Sequence, residues 1–228
     1  MFTGIIEALG KIGSIDSRGQ DLSLTINTRN LDLSDVQLGD SIGVNGVCLT
    51  VVKLMQQAFV ADVSAESLIH TVIGSYSAGT KVNLEKALTL SSRLGGHLVS
   101  GHVDGIGTIV KRKVDGRSIR FELECGYEIQ KYIANKGSIT IDGVSLTVTG
   151  LTEKGFTLNI VPHTVAETTI QGYMVGNKVH IEVDLMARYA ERLLSFEGLP
   201  KSTLDKISEK KSPSGLDHAF LAEHGFLQ

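Results

Sequence analysis

The chain repeats itself. Slid against itself by 97 residues, with no gap, SIGVNGVCLTVVKL (41–54) falls on SITIDGVSLTVTGL (138–151), GIIEALGKI (4–12) on GHVDGIGTI (101–109), and TKVNLE (80–85) on NKVHIE (177–182). Self-similarity at a fixed offset means that one structural unit is built twice. Residues 1–87 and 98–184 must therefore reach the same fold, and each must close its own core. The expected domains are 1–97, 98–184 and a remainder, 185–228.

Within each copy the local signals are those of strands. Asn45-Gly46 and Asp142-Gly143 stand between apolar runs, and such pairs favour two-residue hairpin turns because both central residues need positive φ. Phe59–Val63 and Phe156–Ile160 read as the next strand of each copy. Twenty-five glycines against three prolines suit many short strands joined by tight turns. About six short strands per copy predict a small closed barrel, since closure removes exposed edges. A two-sheet sandwich is the alternative. Short helical inserts are expected near Leu31–Val36 and Glu128–Ala134. After Asp184 the period changes: Leu185, Tyr189 and Leu193 are four apart with charges between, the stripe of a helix. STLDKISEKKSPSG is a polar stretch, and DHAFLAEHGFLQ fits a terminal helix opened by Asp217.

Composition narrows the partners. A formal charge of −3 and 5% aromatic residues argue against a basic, aromatic nucleic-acid face. The two cysteines, Cys48 and Cys125, have neither disulfide-framework nor zinc-ligand spacing, and His97 and His102, five apart, are not a helical metal pair. No metal or cofactor is expected. The opening MFTGIIEALGKIG has no basic leader and Glu7 breaks its apolar run, so the expectation is a cytoplasmic chain with no membrane span.

MFTGII, NGVCLTV, GGHLVSGHVDG and KGSITIDGVSLTV together resemble the riboflavin synthase family, the alpha-chain type with two lumazine-binding repeats, over about residues 1–195. The resemblance implies an all-β fold of two six-stranded Greek-key barrels followed by a C-terminal α-helix, assembled as a homotrimer. It implies dismutation of two 6,7-dimethyl-8-ribityllumazine molecules into riboflavin and 5-amino-6-ribitylaminouracil without cofactor, and an association with lumazine synthase. The implied ligand contacts lie on three segments of each copy: Gly4, Ile5 and Ile6 with Gly101, His102 and Val103; Cys48, Leu49 and Thr50 with Ser145, Leu146 and Thr147; and Asp62, Val63, Ser64, Ala65, Glu66 and Ser67 with Asn159, Ile160, Val161, Pro162, His163 and Thr164. Lys136 is a further implied contact, opposite Gly39 in the first copy.

Two identical reactants take unequal roles, so the positions where the copies differ are informative. His102 faces Ile5, and an imidazole that titrates near neutral pH suits proton transfer or positioning. Ser41 and Cys48 are polar groups expected near the acceptor, and Asp184 is a candidate orienting acid. Plainer readings stand beside these. Cys48 is a small buried side chain, Ser41 and Ser138 satisfy strand-start backbone, Lys136 is a solvated lysine, and Asp184 caps a helix. A non-catalytic lumazine or flavin carrier is the competing function, because one fold hosts both.

Overall fold

Both hairpins turn at their glycine pairs. In the computed structural model, which describes residues 1–195, Asn45 and Gly46 have φ of 47° and 79°, and Asp142 and Gly143 have 45° and 79°. Val44 pairs with Val47 across the first turn and Ile141 with Val144 across the second, the register of a two-residue type I′ hairpin.

The first copy contains β1 (Ala8–Arg18), β2 (Asp21–Asn27), β3 (Ser41–Val44), β4 (Val47–Met55), β5 (Ala58–Val63), α1 (Ala65–His70) and β6 (Lys81–Lys86). The second contains β7 (Gly105–Asp115), β8 (Ser118–Glu124), α2 (Tyr127–Gln130), β9 (Ser138–Ile141), β10 (Val144–Thr152), β11 (Gly155–Ile160), α3 (Pro162–Glu167) and β12 (Lys178–Val183). Each set closes into an antiparallel barrel in the same order, β1-β2-β5-β4-β3-β6 and β7-β8-β11-β10-β9-β12. Closure leaves neither copy with a free edge. Inward residues fill each barrel around a fully buried aromatic, Phe59 in one and Phe156 in the other.

The turns serve a second purpose. A Cβ on Gly46 would lie 2.6 Å from the backbone nitrogen of Gly143, so the two hairpin tips touch and glycine is required there for space as well as for φ. Beside them runs a polar seam. Asp142 accepts the backbone N–H of His180 (2.8 Å) and the hydroxyl of Tyr173. In the other copy Asn45 accepts the N–H of Asn83 (2.7 Å) and donates to the hydroxyl of Tyr76 (2.7 Å). His180 accepts the N–H of Val72 on Nε2 (2.9 Å), so its Nδ1–H donates to the carbonyl of Asn45 (2.8 Å). Buried polar groups are tolerated where every donor and acceptor is matched.

The helices depart from expectation. Leu31–Val36 forms turns, tied by the Ser34 N–H on Asp32 Oδ1 (2.9 Å), with Leu31 and Val36 buried as loop anchors. The second insert is the single turn α2. Helices α1 and α3 instead open at Ser64, whose hydroxyl accepts the Ser67 N–H, and at Pro162 in the first helical turn. Leu185–Ser195 is α4, with Met186, Tyr189, Leu193 and Leu194 exposed. Asp217 and the two segments expected around it lie outside the described residues.

Candidate ligand-binding site

Thr3 and Ser100 begin equivalent segments, and each is held by a buried glutamate on the last strand of its own barrel. Glu85, on β6, accepts the Thr3 N–H (2.6 Å), the Thr3 hydroxyl (2.7 Å) and the Gly4 N–H (3.0 Å). Glu182, on β12, accepts the Ser100 N–H and hydroxyl (2.6 Å each) and the Gly101 N–H (3.0 Å). Burial pushes both carboxyls above their ordinary value, against the hydrogen bonds that pull them down.

So anchored, each segment crosses to the opposite barrel. The carbonyl of Gly4 accepts the N–H of Ser145 on β10, and the carbonyl of Gly101 accepts the N–H of Cys48 on β4, both at 2.8 Å. Gly4 and Gly101 have φ of +76° and +80°, and a Cβ on either would fall 2.6 or 2.7 Å from the facing Cβ. Only glycine lets the chains pass so closely. Phe2 is buried under the crossing, with its ring against Gly101.

The second crossing site is an open hollow of about 360 Å³, into which Ile5, Ser138, Ser145, Thr147, Asn159 and Thr164 converge. Leu146, Ile160 and Val161 also line it. Its apolar wall with a few hydroxyls and an amide suits a flat heterocycle bearing a polyol. By the offset, His102 follows Gly101 at its contact with Cys48 of the first copy as Ile5 follows Gly4 at its contact with Ser145 of the second. Ser41 lines a smaller recess of about 160 Å³ with Asp40, Leu88 and Thr89. A larger hollow, about 420 Å³, lies on the outer face of β7 and β8 between Lys111, Lys113 and Arg120, and contains none of the residues expected from sequence.

Several expected contacts are occupied otherwise. Leu49 and Val63 are core residues and offer only backbone, and Ile160 is a core residue at the edge of the hollow. Asp62 accepts the Ser23 hydroxyl (2.8 Å), Ser64 caps α1, and Glu66 pairs with His70 on the surface (3.0 Å). Ala65 donates its N–H to Asp21 (2.9 Å). Ile6 and Val103 pack on the barrel cores, each on that of the opposite copy. Pro162 and His163 are exposed in α3, and Ser67 donates back to Ser64 (3.2 Å). Asp184 accepts the Met186 N–H (3.0 Å), a capping bond at the start of α4. Lys136 has φ of 65° where Gly39 has 93°, a left-handed position where a non-glycine residue is strained. Among the described residues no three His, Cys, Asp or Glu side chains gather as a metal site, and no helix is long and apolar enough to cross a membrane.

Glu85, Glu182 and Phe2 were not singled out from sequence. The signal was present: TKVNLE and NKVHIE place an identical acid at the same position of matched strands.

This is a protein of duplicated lumazine-binding domains: a profile described as Lumazine binding domain matches residues 3–87 and 100–184. Riboflavin synthase of Photobacterium phosphoreum is 50% identical over 227 residues, covering all of both chains, and riboflavin synthase of Bacillus subtilis is 42% identical over 99% of this chain and 100% of its own. The chain belongs to the riboflavin synthase family. Its fold is similar to crystal structures of LumP complexed with 6,7-dimethyl-8-(1'-D-ribityl) lumazine (TM-score 0.73, 22% identity) and with riboflavin (0.74, 24%), each over 80% of this chain and 99% of the other.

Proposed function

We propose that this chain catalyses the dismutation of two 6,7-dimethyl-8-ribityllumazine molecules into riboflavin and 5-amino-6-ribitylaminouracil, a transfer of a four-carbon unit between identical heterocycles. The observation that carries this reading is the end-to-end match to riboflavin synthases at 50% and 42% identity, over a chain that builds the same cradle twice. A reaction between two copies of one molecule needs two similar holders, brought together in a defined orientation.

In this reading the second cradle fixes one lumazine through Ser145, Thr147, Asn159 and Thr164, and the first fixes the other through Cys48, Thr50 and Ser67. His102 positions or moves the proton lost from the methyl group of the donor. Ser41 and Cys48 stand near the acceptor, Lys136 reaches the ligand from its strained turn, and Asp184 orients the group it faces. We place the reacting pair between the first barrel of one subunit and the second barrel of its neighbour, in a homotrimer whose contacts include the exposed apolar side chains of α4. The cytoplasm and an association with lumazine synthase complete the proposal.

The test is direct. Purified chain incubated with 6,7-dimethyl-8-ribityllumazine and no additive should develop riboflavin's yellow absorbance and fluorescence. Tight binding without product would instead establish a carrier. Sedimentation of the full chain tests the trimer, and a monomer that turns over substrate would refute the shared site.

A further inference from the structure

Ser145 and Cys48 occupy matched positions and donate matched backbone N–H bonds to the carbonyls of Gly4 and Gly101. What stands behind their side chains differs. The linker passes once between the copies, and its Gly95-Gly96-His97 stretch follows the second cradle. The His97 N–H donates to the Thr3 carbonyl (3.1 Å), and a Cβ on Gly96 would strike that same carbonyl and the Ser145 side chain. His97 Nδ1 then lies 2.7 Å from Ser145 Oγ. Among the described residues the Cys48 thiol has no hydrogen-bond partner.

The ring's other nitrogen decides the direction of that bond. His97 is 9% exposed, and its Nε2 is buried with no partner among the described residues. A proton on Nε2 would leave a buried N–H without an acceptor, the arrangement proteins avoid most, whereas a bare ring lone pair there is better tolerated. Burial also holds the imidazole below its ordinary pKa, against the opposing pull of the Asp184 carboxylate, which favours the neutral ring. The proton therefore belongs on Nδ1, donated to Ser145 Oγ. With its oxygen so engaged, Ser145 has its own hydrogen free to turn into the hollow it lines.

We propose that His97 is a positioning residue of the second cradle: through its Nδ1–H it holds Ser145 as a hydrogen-bond donor, so that this cradle selects a heterocycle presenting a carbonyl oxygen or ring nitrogen acceptor, while Cys48 leaves the first cradle without an equivalent. The inference rests on the reading of these hollows as ligand sites. It supplies a physical reason for identical molecules to be held differently in the two halves, since Gly95-Gly96-His97 lies against Ser145 of the second hollow and nothing equivalent meets the Cys48 thiol among the described residues.

Two experiments test it independently. In the full chain labelled with ¹⁵N-histidine and free of ligand, long-range ¹H–¹⁵N correlation should show His97 protonated on Nδ1 and bare on Nε2. The opposite tautomer, or a doubly protonated ring at neutral pH, overturns the proposal whatever the protein's activity. Calorimetric titration with 6,7-dimethyl-8-ribityllumazine should show His97→Ala weakening one of two sites about tenfold, the scale of one net hydrogen bond, and leaving the other unchanged. His97→Asn, which places an amide where Nδ1 was, should restore most of the loss. Ser145→Ala should reproduce the one-site defect with His97 intact, and the double variant should be no worse than either single one. Equal weakening of both sites, or additive losses, overturns the proposal. Failure of the wild-type chain to bind the lumazine at all would refute the proposed function while leaving the tautomer result to stand.

Discussion

Replacing Glu182 with glutamine should damage the barrel to which Glu182 does not belong. The carboxylate accepts three hydrogen bonds at 4% exposure, two from Ser100 at 2.6 Å and one from the Gly101 N–H at 3.0 Å. A glutamine keeps one acceptor oxygen for Ser100 and turns an NH₂ group toward the Gly101 N–H, donor against donor. Loss of that charge-assisted bond, with a buried N–H left unpaired, costs about 2–3 kcal/mol, and the relief of no longer burying a charge offsets part of it. A net loss of about 2 kcal/mol lowers the melting temperature by about 4–8 °C for a chain of this size. The informative readout is local. Gly101 passes its carbonyl to the Cys48 N–H, so amide shifts in the ligand-free full chain should concentrate at Cys48 and Thr50 of the first copy. Glu85→Gln, acting through Gly4, should move Ser145 and Thr147 of the second. If each glutamate perturbs only its own barrel, or if Glu182→Gln melts lower with no change at Cys48, the crossed anchoring is refuted.

Gly101→Ala combines a left-handed backbone with a Cβ 2.7 Å from that of Cys48, and should lose about 2–4 kcal/mol in urea unfolding, from strain plus overpacking. Asp142→Asn should be nearly neutral, within about 1 kcal/mol, because Asn45 already meets the same backbone and tyrosine partners in the first copy; Asp142→Ala should cost about 3 kcal/mol or more by stranding Tyr173 and His180. Burial raises the folded pKa of Glu85 and Glu182, so above the ordinary carboxylate range the native state holds more protons than the unfolded chain, and stability falls as pH rises through the folded value; the double glutamine variant should show a flatter pH dependence in urea titrations. His102→Gln should slow riboflavin formation by about a hundredfold at unchanged lumazine affinity, the range of general acid–base catalysis, and an unchanged rate removes His102 from the chemistry.

The hairpins were readable from sequence because Asn-Gly and Asp-Gly encode their turns locally, and the barrel followed from two copies needing closed edges. Helices α1 and α3 were missed because each is six residues long and starts inside a segment that also reads as strand end and ligand contact. Leu31–Val36 has helical spacing of apolar residues, yet Leu31 and Val36 are buried by turns. The proposed ligand segments were legible only through their resemblance to a known family. Their crossing was not legible at all, because nothing local in Gly4-Ile5 or Gly101-His102 announces that its partner, Ser145 or Cys48, lies 141 or 53 residues away in the other copy. Glu85 and Glu182 look like ordinary strand-end charges until the segments they anchor are seen in place.

Because the second hollow takes Ile5 from the first copy, and Cys48 of the first copy meets Gly101 of the second, the two halves share authorship of the proposed binding surfaces. A mutation that retunes what one pocket accepts can arise in the opposite half of the gene, and an ancestor with a single copy could have completed such a pocket only by lending a wall to an identical molecule. Separated halves, expressed as independent polypeptides, would inherit the strands of a pocket and forfeit one side of it until they found each other again.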